Sequence, residues 1–88
     1  MMKSKAVNDL TAEVAAKTLN LIDVREADEF AEGHLPGAIN LPLSDFLERY
    51  GELDKDKSYH IICQSGARSA QACAFLNGEG HDVINVAG

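Results

Sequence analysis

The chain lacks tryptophan, and aromatic residues make up only 6% of its 88 residues. Any core must therefore consist mainly of aliphatic side chains. Two cysteines are too few for the disulfide framework of a small secreted domain. No stretch approaches the roughly 20 apolar residues of a membrane span, and the start has no apolar run of signal-peptide length. We therefore expect a soluble, cytoplasmic protein with reduced thiols and no membrane partner.

Positive charge is also scarce, because 8 Lys and Arg stand against 14 Asp and Glu, for a net charge of −6. This balance argues against binding to nucleic acid or to an anionic membrane. Apolar residues at 45% and charged residues at 25% are typical of a globular protein. The length leaves room for one domain with a modest core, so we treat residues 1–88 as a single domain.

Short apolar segments alternate with helical ones along the chain. Strands are predicted at residues 5–9, 21–24, 38–41, 59–62 and 83–86, and helices at 11–18, 27–32, 45–50 and 69–76. Thr11 and Ser44 are the predicted N-caps of the first and third helices. The alternation favours a parallel sheet with right-handed crossovers and helices on both faces. In such sheets the ligand site lies beyond the carboxyl ends of the strands.

Residues 63–69 (CQSGARS) hold the most informative pattern, because Cys63 follows a predicted strand and precedes a predicted helix. Loop amides and a helix N-terminus favour a thiolate, so the pKa of Cys63 should fall below its free value of about 8.5. Gly66 lets the loop turn back on itself. Arg68 adds the only Lys or Arg between residues 58 and 88. A buried structural thiol is the alternative, but this context favours a nucleophile.

Four segments, in this order and spacing, resemble the rhodanese family of sulfurtransferases: residues 21–26 (LIDVRE), 33–40 (GHLPGAIN), 63–69 (CQSGARS) and 80–88 (GHDVINVAG). The resemblance covers nearly the whole chain. It implies an α/β three-layer sandwich, in which helices cover both faces of a central parallel five-stranded sheet of order 1-5-4-2-3.

The resemblance also implies a reaction, similar to that of thiosulfate sulfurtransferases, that needs no cofactor. The Cys63 thiolate takes the outer sulfur of a donor such as thiosulfate or a persulfide, and a thiol or cyanide then removes that sulfur from the Cys63 persulfide. The alternative is a module that carries a persulfide without turnover or binds a protein partner in sulfur metabolism. The implied binding loop comprises Gln64, Ser65, Gly66, Ala67, Arg68 and Ser69, with Arg68 as an electrostatic clamp.

The spacing from Cys63 to Arg68 is Cys-x4-Arg, whereas tyrosine phosphatases use a Cys-x5-Arg loop around a phosphate. One residue fewer makes a narrower loop, which disfavours phosphatase and arsenate-reductase activity. Rhodaneses that prefer thiosulfate often carry basic residues where this chain has Gln64 and Ser65. That leaves Arg68, with Arg25, to attract a dianion, so we expect thiosulfate to be a poor donor.

Asp23 and Arg25 follow a predicted strand end on the same side of the sheet as Cys63. A structural role is favoured for Asp23, and Arg25 is expected either at the pocket rim or paired with an acid such as Glu29. Cys73 is expected to be a small core residue, with a disulfide to Cys63 as the alternative.

The three histidines and two cysteines lack the spacing of a metal site, so we expect no bound metal. His34 is expected to fix a Gly-Pro turn, His60 to have a supporting or surface role, and His81 to be exposed. The sequence ends at Gly88, where members of the family usually continue into a C-terminal helix. Without that helix an apolar strip would be exposed, so we expect self-association or marginal stability; the alternative is that this sequence is part of a longer chain.

Overall fold

A computed structural model describes residues 4–6, 12–13, 19–63 and 67–87. The strands within those ranges form one parallel sheet with the order β1-β5-β4-β2-β3, the order that the resemblance implies. Their bounds are Ser4–Ala6 (β1), Leu21–Asp23 (β2), Ile39–Asn40 (β3), Ser58–Ile62 (β4) and Asp82–Ala87 (β5). Ala12 and Glu13 are helical, whereas Thr11 and the rest of the first predicted helix lie outside the described residues.

The α-helices that follow β2 are Ala27–Glu32 (α1), Phe46–Arg49 (α2) and Ala67–Gly78 (α3), and short 3₁₀ turns flank α2. The predicted N-cap at Ser44 is wrong. Pro42, with φ at −58°, leads directly into a 3₁₀ turn that contains Ser44. The Ser44 hydroxyl instead donates to Glu26 Oε1 at 2.7 Å. No helix in the described ranges is long and apolar enough to cross a membrane.

Aliphatic side chains are buried on both faces of the sheet. On one face, strands β2, β4 and β5 pack against α2 and α3, and Ile22, Ile61 and Leu76 are at most 1% exposed. A second cluster, which includes Leu21 and Ile62, is buried on the other face. Neighbouring residues of a strand point to opposite faces, so strands buried on both faces read as continuous apolar runs.

His81 is buried, contrary to the expectation of an exposed side chain. It follows α3 in a turn where its N–H donates to the Leu76 carbonyl at 2.9 Å and the Gly80 N–H donates to the Asn77 carbonyl at 3.2 Å. Gly80 has a φ of +89°. These two bonds and the left-handed glycine form a Schellman closure, which turns the next residue back against the helix. The closure therefore buries His81.

Candidate active site

Cys63 lies directly after β4, at the edge of the sheet where the carboxyl ends of the parallel strands meet. The register pairs Ile62 at the end of β4 with Asp23 at the end of β2, so the residues that follow these strands are neighbours. Cys63 is half-buried. The structure thus places this cysteine between a strand and a helix at the predicted ligand-binding edge.

The Cys63 sulfur lies against the amino end of α3. The Ser69 backbone N–H donates to Cys63 Sγ at 3.3 Å, and the thiol donates to Ser69 Oγ at 3.4 Å. The first N–H groups of a helix have no partner within the helix, and the helix dipole is positive at this end. Both features stabilise a thiolate relative to a thiol.

The structure describes the predicted binding loop only from Ala67, the first residue of α3, onward. Gln64, Ser65 and Gly66 lie outside the described residues. Ala67 is the exposed first residue of α3, and Ser69 is fully buried. The contacts of the sulfur described above therefore come from the helical part of the loop.

Arg68 is held by a carboxylate on another helix. Its Nη1 and Nη2 atoms donate to Glu29 Oε1 at 2.7 Å and Glu29 Oε2 at 3.0 Å. These hydrogen bonds lower the pKa of Glu29 to about 2. Glu29 Oε1 also accepts the Glu26 N–H at 3.1 Å, which caps α1. The ion pair therefore joins α1 to α3 and occupies the guanidinium that the sequence suggests as a clamp.

Arg25 pairs with Asp23 and not with Glu29, the partner considered from the sequence. Its Nε and Nη2 donate to Asp23 Oδ1 and Oδ2 at 3.1 and 2.9 Å, and the same Nη2 donates to the Gly33 carbonyl at 2.7 Å. Asp23 is 1% exposed. The hydrogen bond to Asp23 raises the pKa of Arg25. This pair ties the turn after β2 to the end of α1.

Two asparagines near this edge were missed by the sequence analysis. Asn40 Nδ2 donates to the carbonyls of Asp23 and Arg25 at 3.0 and 2.9 Å and so fixes the turn after β2. Asn85, on β5, is buried and accepts a hydrogen bond from the Ser69 hydroxyl. The available signal for Asn85 was a polar residue within the apolar run 83–86.

Cys73 and the histidines are the other residues that the sequence singles out. Cys73 is fully buried in the core, as predicted, and burial raises its pKa to about 11. His34 is exposed, with its Nδ1 2.8 Å from the Phe30 carbonyl and its ring stacked on Phe30 at 3.7 Å. His60 is buried on β4. Within the described ranges, no three His, Cys, Asp or Glu side chains are grouped to hold a metal ion.

A cavity of about 120 Å³ lies at the opposite edge of the sheet, beside the amino ends of β2 and β4. Leu21, Lys57 and Tyr59 contribute to its lining. None of the predicted site residues lines it, so this cavity is separate from the region around Cys63.

Comparison with known proteins places these features in a family. The Rhodanese-like domain family matches residues 6–88. The putative sulfurtransferase YtwF of Bacillus subtilis is 46% identical over 74 residues, which cover 84% of this chain and 72% of that protein. The putative sulfur carrier protein YrkF of the same organism is 39% identical over 71 residues, which cover 80% of this chain and 38% of that protein.

A solved structure gives the same result for the fold. The rhodanese-like domain protein of Staphylococcus aureus superposes with a TM-score of 0.90 at 32% identity, over 99% of this chain and 86% of that one. The family match, the parallel sheet and the agreement in structure together show that this chain belongs to the rhodanese-like domain family.

Proposed function

We propose that this protein is a sulfurtransferase in which Cys63 holds the transferred sulfur as a persulfide. The observation that supports this most strongly is the half-buried Cys63 sulfur at the amino end of α3, where it accepts the Ser69 backbone N–H. A persulfide anion at this position is stabilised by the same donors that stabilise a thiolate. The name of the Bacillus relative, a putative sulfurtransferase, points in the same direction.

The proposed reaction has two displacement steps. The Cys63 thiolate attacks the outer sulfur of the donor, a new S–S bond forms, and the donor's own S–S bond breaks with its electron pair on the leaving group. An acceptor thiolate then attacks the outer sulfur of the Cys63 persulfide and returns Cys63 as a thiolate. Cyanide acts as an acceptor in the same way and yields thiocyanate. The cycle needs reduced thiols, for which we propose the cytoplasm.

The charges around Cys63 favour a persulfide donor over thiosulfate. Arg68 is paired with Glu29, and Arg25 is paired with Asp23. A paired guanidinium attracts an incoming anion far less than a free one, because its partner carries the opposite charge. Thiosulfate carries two negative charges, whereas the persulfide group of a donor carries at most one. The donor in the proposed function is therefore a low-molecular-weight or protein persulfide.

A single-cycle experiment tests the proposed function. The protein is incubated with a low-molecular-weight persulfide, separated from the donor by desalting, and then treated with cyanide. We expect about one equivalent of thiocyanate from the native protein and from Cys73→Ser, and none from Cys63→Ser. Equal release from Cys63→Ser would show that sulfur is held elsewhere, and the proposal would be wrong.

The second candidate is a carrier that releases its sulfur only to a partner protein. The similarity to a putative sulfur carrier protein favours it. A carrier would gain sulfur on Cys63 in the same experiment but would keep it in the presence of cyanide and small thiols. Rapid release to either acceptor would exclude this candidate.

A further inference from the structure

We propose that Asn85 is a positioning residue that acts on Cys63 through Ser69. When the Cys63 sulfur loses its proton, the side-chain amide of Asn85 reverses its orientation. The three residues come from different parts of the fold, namely the end of β4, the first turn of α3 and the middle of β5. Strands β4 and β5 are neighbours, and the register pairs Ile61 with Asn85. Asn85 therefore lies one strand away from the segment that leads into Cys63.

The contacts form a continuous chain of hydrogen bonds. The Cys63 thiol donates to Ser69 Oγ at 3.4 Å, and the Ser69 hydroxyl donates to Asn85 Oδ1. Ser69 is 0% exposed and Asn85 is 7% exposed, so both lie largely out of contact with solvent. The direction of this chain suits a protonated sulfur, because every proton points from Cys63 towards Asn85.

Loss of the thiol proton reverses the direction in which the hydrogen bond between Ser69 and Cys63 must run. A thiolate only accepts hydrogen bonds, so a Ser69 hydroxyl that stays directed at Asn85 would present a lone pair to a negative sulfur. An asparagine amide carries an acceptor at one position and a donor at the other. Rotation of the Asn85 amide brings Nδ2–H to Ser69 Oγ, and the Ser69 hydroxyl then donates to the thiolate.

The reversed chain stabilises the charged form of Cys63, because a hydrogen bond donated to an ion is stronger than one between neutral groups. The Ser69 backbone N–H at 3.3 Å donates to the sulfur in both states and does not depend on Asn85. The amide of Asn85 supplies both the acceptor and the donor of this exchange without a change of charge, whereas a carboxylate supplies only an acceptor.

The charged groups around Cys63 remain the same in either state of the amide. Arg68 on α3 interacts electrostatically with Cys63, and its guanidinium is also paired with Glu29 of α1. Asp23 and Arg25 form the other pair, at the end of β2. Variants at Asn85 and Ser69 leave these four charged groups in place. The electrostatic effect of the four groups on the sulfur is therefore the same in every variant.

The test is the pH profile of Cys63 alkylation by iodoacetamide in a Cys73→Ser background. Asn85→Asp keeps the acceptor and removes the donor, so we expect the midpoint to rise by about one pH unit or more. Asn85→Leu removes the acceptor that directs the Ser69 hydroxyl away from the sulfur, and we expect the midpoint to shift by less than about half a unit. A midpoint shift in Asn85→Leu as large as that in Asn85→Asp would overturn the proposal.

Aspartate also adds a negative charge. A double-mutant cycle separates the effect of this charge from that of the relay, which is the hydrogen-bond chain from Cys63 through Ser69 to Asn85. In a Ser69→Ala background the relay is absent, so the Asn85→Asp shift should fall to less than half of its original size. An equal shift in both backgrounds would show that the added charge acts directly, and the relay would be refuted.

A measurement on the unmodified protein covers the case in which these variants fold poorly. The NMR signals of the Asn85 side-chain amide should move with the Cys63 titration, and should stay constant over the same pH range in Cys63→Ser. The Asn40 amide, which donates to two backbone carbonyls, serves as the internal control. Constant Asn85 signals through the Cys63 titration would overturn the proposal. This inference does not depend on sulfur transfer, so it can fail while the proposed function holds.

Discussion

Cys63 and Cys73 contact the same apolar cluster, yet they differ in exposure and in the hydrogen bonds at the sulfur. Cys63 is half-buried and accepts a backbone N–H at the amino end of α3. Cys73 lies inside the same helix, where desolvation raises its pKa to about 11. The exposure of a thiol and its position relative to the helix end together separate a candidate nucleophile from a core residue.

The largest expected effect comes from removing each sulfur in turn. Cys63→Ser should lower thiocyanate formation by about 1,000-fold or more, because no other group forms the persulfide. Cys73→Ser should keep the rate within about threefold, because its sulfur only fills space in the core. The steady-state cyanide assay measures both. A loss in Cys73→Ser as large as that in Cys63→Ser would remove the distinction between the two thiols.

Alkylation rates sharpen the comparison further. At pH 8 iodoacetamide should modify Cys63 at least about 100-fold faster than Cys73, because the thiolate is the reactive form. Peptide mass spectrometry after timed quenching gives both rates from one sample. Comparable rates in the folded protein would contradict the account.

The pKa of Cys73 also predicts a trend in stability. The folded protein holds the Cys73 proton more tightly than the unfolded chain, whose thiol has a pKa near 9.0. The free energy of unfolding should therefore fall as the pH rises from 9 towards 11. Denaturant titrations should show a smaller fall in Cys73→Ala, whereas an equal fall in both proteins would show that Cys73 titrates normally.

Glu29→Gln tests whether the ion pair between Glu29 and Arg68 controls the donor preference of Cys63. Releasing Arg68 should raise the rate of sulfur loading from thiosulfate by roughly three- to tenfold at low salt, with little change for a persulfide donor. Glu32→Gln, an exposed change on the same helix, is the matched control for net charge. An equal effect of both variants, or no effect of either, would show that the ion pair does not set donor preference.

The same variant has a pH signature in stability. The pKa of Glu29 is lowered from 4.5 to about 2, chiefly by its hydrogen bonds to Arg68. The stability that this pair contributes is therefore present above pH 4.5 and is lost as the pH falls towards 2. Melting temperatures of the native protein and Glu29→Gln should differ at pH 6 and converge in acid. A difference that persists at pH 2 would exclude this cause.

The smallest effect is expected at the carboxyl end of α3. Gly80→Ala should lower the free energy of unfolding by about 1 kcal/mol, because alanine is strained at the positive φ of the closure. Gly78→Ala, at the end of the same helix and with open space around the added Cβ, should cost nothing. Neither variant should alter Cys63 alkylation. Slower alkylation of Cys63 in Gly80→Ala would show that the two ends of α3 are coupled.

Much of the fold could be predicted from local patterns. Apolar runs located the buried strands, and α1 spans Ala27–Glu32 and ends before Gly33, as predicted. The candidate nucleophile followed from its place between β4 and α3. Ser44 was misassigned because a cap residue and a residue inside a 3₁₀ turn have the same local composition, and because its partner Glu26 lies 18 residues away.

The partners of the site residues were beyond sequence reasoning. Arg68 and Glu29 are 39 residues apart and meet only because α1 and α3 lie at the same edge of the sheet. Asn85 on β5 accepts a hydrogen bond from Ser69 on α3, and no sequence periodicity predicts this contact. Local rules identify elements and their ends, whereas side-chain pairs across a sheet depend on the tertiary arrangement.

The most direct test of the central claim is the mass of the two cysteine peptides after incubation with a low-molecular-weight persulfide. The account predicts a gain of about 32 Da, one sulfur atom, on the peptide that contains Cys63, and no gain on the peptide that contains Cys73. Added sulfur on the Cys73 peptide, or none on the Cys63 peptide, would contradict it.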